Sequence, residues 1–191
     1  IRYAPTVAGD RIVFGSDDGI VYCLDRTSGQ ESWRRRLSDR DWRIPGNGRL
    51  ISSWPIRTGC VVVGDHVYAT SGLYPQQGAW AFSIELATGR IAWRVPLAES
   101  PQGYLLASSL RLFIPTGRSQ PISLDLATGK EGKRLQSLGG TFAVIDGDTI
   151  IGGRGNDGSL AMTDSGTGAR LSSFKGSQLA VGPDASLLFD G

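Results

Sequence analysis

Cysteine, histidine and methionine are scarce in this 191-residue chain, which holds two Cys, one His and one Met. Two cysteines cannot staple a disulfide-dense scaffold, which needs several bridges. Cys23 and Cys60 can bond only if their strands meet, and a buried free thiol at an alternating strand position such as Cys23 is ordinary. A single histidine leaves any zinc site or Ser-His-Asp triad dependent on His66, which follows Gly64-Asp65 at a strand-turn position equivalent to Arg11 that normally faces solvent. No Cys-x-x-Cys-His is present to attach haem. Long hydrophobic runs are missing too: nothing approaches the roughly 18 consecutive apolar residues of a membrane span. Glycine-poor heptads are absent, which excludes a coiled coil. Nor is there an excess of one charge sign, since 20 basic residues face 18 acidic ones for a net +2, too balanced to argue for nucleic acid. The chain begins with Ile1 inside a strand-like run, so the lack of a signal peptide says nothing for cytoplasmic residence.

What the chain does have is glycine, 27 residues, about twice the usual share of about 7% and without a collagen period. The glycines punctuate short β-branched runs. Arg11 to Ser16 and Ile20 to Leu24 are joined by Asp17-Asp18-Gly19, a hairpin whose tight turn needs the positive φ that glycine supplies. With Pro5 to Ala8 before them and Glu31 to Leu37 after, they predict a four-stranded meander.

The phrase after the third strand returns. Asp25-Arg26-Thr27-Ser28-Gly29 is echoed by Glu85-Leu86-Ala87-Thr88-Gly89, Asp125-Leu126-Ala127-Thr128-Gly129 and Asp164-Ser165-Gly166-Thr167-Gly168. Gly29 to Gly89 is 60 residues, Gly89 to Gly129 is 40 and Gly129 to Gly168 is 39. A period of about 40 with four strands per unit is that of propeller blades. Blades are expected at about 5–37, 57–97, 100–136 and 140–174, with a half-blade at 177–191 and an inserted loop at 38–58. A lone meander cannot bury both faces, so neighbouring copies must stack. Eight positions after each acidic residue stand Trp33 and Trp93, indoles suited to wedge between blades; the third and fourth copies place Lys133 and Ser172 there. The chain starts near a first strand and stops near a second, so the two ends duplicate each other. That predicts part of a larger ring, of seven or eight blades, completed by further blades of the same protein or by another chain.

These residues resemble the quinoprotein alcohol dehydrogenase-like repeats, whose phrase is roughly Ala-x-Asp-x-x-Thr-Gly-x-x-x-Trp. The match is strongest at Leu24 to Trp33 and Ile84 to Trp93. The stretches GSDDGIVYCLDRTSG, SSWPIRTG and SPQGYLLASSLRLFIPTGRSQP are similar to planctomycete-type repeat proteins that are PQQ-binding-like, and the repeats also resemble BamB-type assembly scaffolds. The resemblance implies an all-β propeller of four-stranded antiparallel blades in a periplasmic or otherwise extracytoplasmic bacterial protein. In the alcohol-oxidising branch of the family, pyrroloquinoline quinone (PQQ) and Ca2+ sit at the axis over adjacent cysteines. Here Cys23 and Cys60 are far apart, and Asn occurs only at 47 and 156. Asp25, Asp125 and Asp164 are explained by their turns. Gly153 to Gly158 spells G-x-G-x-x-G, but a strand rather than a helix follows it. Asp146-Gly147-Asp148 is likewise a turn and not a calcium loop.

The segment is therefore read as a non-enzymatic binding or scaffold module, with no catalytic, cofactor or metal residues expected. A fragment of a PQQ-dependent dehydrogenase and a carbohydrate-binding propeller are the alternatives. The inserted loop brings Trp42, Arg43, Trp54 and Arg57, aromatic faces and guanidinium groups suited to carboxylates, phosphates or sugar rings. Packing of the aromatics over the rim is the competing explanation. Arg43, Arg57, Arg118 and Tyr74 are candidates for one site taking an anionic ligand or a protein partner. Trp33, Trp93, Gly29, Gly89, Gly129 and Gly168 are the expected blade anchors.

Overall fold

The computed structural model describes residues 2–46, 48–117, 120–135, 143–153, 158–176, 178–182 and 186–189. The chain forms two compact units, residues 1–105 and 106–191.

In the first unit, β1 (Thr6–Ala8), β2 (Arg11–Gly15), β3 (Ile20–Asp25) and β4 (Glu31–Arg36) pair antiparallel in sequence order. After them come β5 (Arg43–Gly46) and β6 (Arg49–Ser52), a separate hairpin within the inserted segment. A second meander follows: β7 (Val61–Val63), β8 (His66–Ser71), β9 (Trp80–Glu85) and β10 (Ile91–Pro96). One cross-strand row of the first sheet joins Val13 to Cys23 and Cys23 to Trp33, all buried, as period-two alternation requires. That face meets Val67, Ala69, Phe82 and Ile84 of the second sheet in one core cluster. Cys23 and Cys60 both lie in this cluster as free thiols.

The repeated phrase is a built turn. The Asp25 carboxylate accepts hydrogen bonds from the Ser28 amide and hydroxyl, while Gly29 N–H donates to the Asp25 carbonyl at 2.9 Å. Asp125 with Thr128 and Asp164 with Thr167 repeat the arrangement. Gly29, Gly89, Gly129 and Gly168 hold φ of 70°, 69°, 71° and 75°, the left-handed region that a side chain disfavours. After each of three turns the outer strand carries one extra residue, Ser32, Ala92 or Leu171, seven positions beyond the acidic residue. The bulge sets Trp33 opposite Cys23 and Trp93 opposite Ser83.

Trp33 closes the packing between the first two sheets. Its indole N–H donates to the Leu86 carbonyl at 2.7 Å, and its ring lies so close to Gly89 that a Cβ there would sit 2.7 Å from it. Beside it Arg35 donates to the Gly89 carbonyl at 2.7 Å.

In the second unit, β11 (Leu106–Ala107), β12 (Arg111–Ile114) and β13 (Ile122–Asp125) form a three-stranded sheet. The fourth strand expected within 100–136 is replaced, among the described residues, by one bridge between Leu124 and Glu131 and by Gly132 N–H donating to the Ser123 carbonyl. Gly132 takes the bulge position and Lys133 the wedge position, so the apolar hold on this segment passes to Leu135. Then β14 (Ala143–Asp146), β15 (Thr149–Gly152), β16 (Ser159–Asp164) and β17 (Arg170–Lys175) form a four-stranded sheet, and β18 (Gln178–Val181) pairs with β19 (Ser186–Phe189). Phe113, Leu135 and Ile150 are the core between the third and fourth sheets, and Asp148 ties them by accepting from the Ser109 amide and hydroxyl. These are antiparallel blades of a β-propeller.

Gly89 and Gly29 have the same φ, but a Cβ at Gly29 meets nothing within 4 Å. Gly29→Ala is expected to cost about 1–2 kcal/mol for backbone conformation alone. Gly89→Ala adds overpacking against Trp33, a further 1–3 kcal/mol or so. Urea unfolding of the two variants measures the difference; equal midpoints would mean that the Trp33 contact carries no such constraint.

Candidate functional site

The inserted segment is anchored on one face and open on the other. Asp17, in the turn between β2 and β3, is 4% exposed. Its carboxylate accepts from Arg2 Nε at 2.9 Å and from an Arg49 terminal nitrogen at 2.6 Å, and its carbonyl accepts from Ser52 N–H at 2.8 Å. Burial pushes the Asp17 carboxyl up, but the hydrogen bonds and charges of Arg2 and Arg49 outweigh it and hold the group below its ordinary range. Further along, Ile56 N–H donates to the Ser16 carbonyl, and Ile56 fills the space over Gly15. Residues 51–56 are buried, so the insertion is a packed part of the first unit rather than a trailing loop.

Beside this anchor the aromatic residues separate in role. Trp54 is 7% exposed, its indole N–H donating to the Gln77 carbonyl at 2.9 Å. Trp42 is 58% exposed, leans on Trp54 with ring centroids 5.9 Å apart, and carries the Arg40 guanidinium 5.0 Å above its ring. Tyr74, also exposed, belongs to the same neighbourhood, because Gln77 N–H donates to its carbonyl in the 3-10 turn over Pro75–Gln77. Arg43 is exposed on the hairpin and pairs loosely with Asp41 at 3.4 Å. On the same hairpin face Pro45 lies opposite Leu50, which is 64% exposed.

The candidates are therefore partly gathered. Trp42, Trp54 and the turn carrying Tyr74 come together, with Arg43 at the start of β5 next to Trp42. Arg57 is half-buried at the far end of the insertion, its carbonyl accepting from Gly103 N–H, and no contact among the described residues joins it to that group. Arg118 lies outside the described residues. Trp54 is too enclosed to offer a second ring face for a sugar, which leaves Trp42 as the open indole. Arg34, Arg35 and Arg36 go three ways, to Glu31, to the Gly89 carbonyl and to Asp41. His66 meets Asp65 at 2.7 Å at the start of β8. Sequence reasoning did not find the Arg2–Asp17–Arg49 cluster, whose members lie in three separate segments with no shared motif.

The described residues gather no donor set for PQQ and Ca2+. Among the described residues no three His, Cys, Asp or Glu gather as metal ligands. The acidic residues of the repeat are occupied within their own turns, and both asparagines lie outside the described residues. Burial pushes the Cys60 thiol up to about 12, the opposite of what a reactive thiolate needs.

A stack of four-stranded antiparallel blades with a wedge indole and an acidic-Thr-Gly turn defines a quinoprotein-type repeat propeller. The chain belongs to the family described as outer membrane protein assembly factor BamB, which matches residues 17–179. It is similar to that assembly factor from Moranella endobia, 28% identical over 159 residues, covering 80% of this chain and 39% of the relative. It is also similar to 1-butanol dehydrogenase (quinone) from Thauera butanivorans, 24% identical over 161 residues, covering 82% of this chain and 25% of the enzyme. The chain thus spans well under half the length of either relative. Among solved structures, BamB from Moraxella catarrhalis superposes with a TM-score of 0.69 at 20% identity, over 95% of this chain and 52% of that one. No helix among the described residues is long and apolar enough to cross a membrane.

Asp17→Asn should lower stability at neutral pH by roughly 1–3 kcal/mol, because two guanidinium groups lose a buried partner. Arg49→Ala should cost no more than about 1 kcal/mol, since that side chain is 58% exposed. Asp17 is depressed in the folded state, so its contribution is present above the unfolded carboxylate value and is lost as pH falls through the folded one. The Asp17→Asn penalty should accordingly shrink in thermal melts as pH falls below the ordinary carboxylate range. A penalty independent of pH would show that the charge is not what holds the insertion.

Proposed function

We propose that this chain is a non-catalytic binding module of an extracytoplasmic assembly scaffold, and that the β5–β6 hairpin is its docking element for a protein partner. The observation that carries this is the hairpin's open face, where Arg43, Pro45 and Leu50 face solvent beside the exposed Trp42 while Arg49, on the opposite face, is held by Asp17. An exposed aromatic beside guanidinium groups is the composition of interface hot spots, and the anchored opposite face lowers the ordering cost of binding. Membership of a family described as an outer-membrane assembly factor supports a protein partner. Co-purification of the intact protein with the outer-membrane protein assembly machinery of its own cell tests the reading. Trp42→Ala with Leu50→Ser should reduce recovery about tenfold or more, two hot-spot side chains each counting for more than about 1 kcal/mol. Undiminished recovery with folded variant protein would remove the hairpin from this role.

Similarity to the quinone-dependent butanol dehydrogenase supports a second reading, in which this chain contributes blades to a PQQ enzyme. Adding PQQ and Ca2+ to the intact protein separates the two. The scaffold reading expects no bound-quinone absorbance and no dye-linked alcohol turnover; either signal would favour the enzyme.

A further inference from the structure

The second unit contains a cavity of about 820 Å3, within the size range of small-molecule sites. Its place follows from the repeat. Trp33, the carbonyl of Leu86 and Gly89 make the wedge in the first unit. The residues at the same repeat positions between the third and fourth sheets are Lys133, Ser165 and Gly168, and all three line the cavity. The cavity therefore lies at the wedge position, where Lys133 stands in the indole's place and Leu135 covers part of the turn, its Cδ2 3.3 Å from where a Cβ on Gly168 would sit.

What lines it is cationic. Arg111 from β12, Lys133 and Arg134 from the segment after Gly129, and Arg170 from β17 converge there, and no Asp or Glu is among the lining residues. Arg134 also meets Glu131 at 3.5 Å. Arg111 lies near Asp125, whose carboxylate is engaged by Thr128. Neither Lys133 nor Arg170 has a carboxylate partner among the described residues. Ser165 is 2% exposed and lines the cavity, and its Oγ has no hydrogen-bond partner. A buried hydroxyl without a partner, in a cavity also lined by guanidinium and ammonium groups, matches the demand of an oxyanion that accepts from all of them.

We infer that the cavity at this wedge position binds a small polyanion carrying phosphate or carboxylate groups, with Arg111, Lys133 and Arg170 as charge partners and Ser165 Oγ as a buried donor. The site is independent of the hairpin and of the partner proposed for it. Isothermal titration of the intact protein with pyrophosphate and with citrate, in about 150 mM NaCl to screen diffuse attraction, tests it. Saturable one-to-one binding is expected. Binding of pyrophosphate alone identifies a phosphate ligand, binding of citrate alone a carboxylate one, and binding of both the shared oxyanion chemistry. Arg170→Ala, at an exposed strand end, should weaken binding about tenfold or more. Ser165→Ala should weaken it less, and Lys133→Trp should abolish it by filling the cavity and removing a cation. Lys130→Ala, a surface cation outside the lining, should leave it unchanged. No saturable binding of either probe, or equal affinity in the Arg170→Ala and Lys130→Ala proteins, would overturn the assignment.

Discussion

The contact of the Trp33 ring with Gly89 governs the first unit, because it is where one sheet's outermost strand reaches the next sheet's turn. A four-stranded meander exposes two faces and is stable only when a neighbour covers one of them. Burying an indole is among the largest single contributions a side chain makes, with truncations of core Trp or Phe costing roughly 3–5 kcal/mol. The ring fits only because Gly89 is bare and because the turn before it presents the Leu86 carbonyl to the indole N–H. In the second blade Glu85, Thr88 and Gly89 are thus parts of a receptor for the preceding blade's tryptophan. Carboxylates that look catalytic in sequence are spent on shaping the same turn in the other copies: the Ser28 amide and hydroxyl hold Asp25 below its ordinary value, and the Thr128 and Thr167 hydroxyls and amides do the same for Asp125 and Asp164.

A different force holds the inserted segment. It cannot join the repeat, so it is fixed by a buried carboxylate between two arginines and by Ile56 packed over Gly15. Apolar surface on its inner face is consumed by that packing, while Trp42 and Leu50 are not covered. Rigidity on one face and exposure on the other are the two conditions for a surface that recognises without rearranging.

Blade architecture was legible in the sequence because it repeats: the spacing of Gly29, Gly89, Gly129 and Gly168 and the position of Trp33 are periodic signals. The contents of the insertion were legible only as residue types. Trp42 and Trp54 look alike in sequence, and only packing distinguishes the exposed ring from the buried one bonded to Gln77. Asp17 reads as one more hairpin-turn residue, since its partners Arg2 and Arg49 are 15 and 32 positions away. The loss of the third outer strand had a visible trace, Lys133 in a tryptophan's place, but that trace names an absence and not the cavity's lining, which Arg111 and Arg170 reach from other strands.

The single extra residue in β4, β10 and β17 gives the repeat a reading frame. Strand faces alternate every residue, so deleting Ser32 or Ala92 would move the following tryptophan into the other parity and turn it from its neighbour toward water. The repeat can accordingly drift in composition, as Lys133 and Ser172 show, while its count from acidic residue to wedge stays at eight. In such a chain length between landmarks is inherited more strictly than identity, and a one-residue slip is a larger structural event than most substitutions.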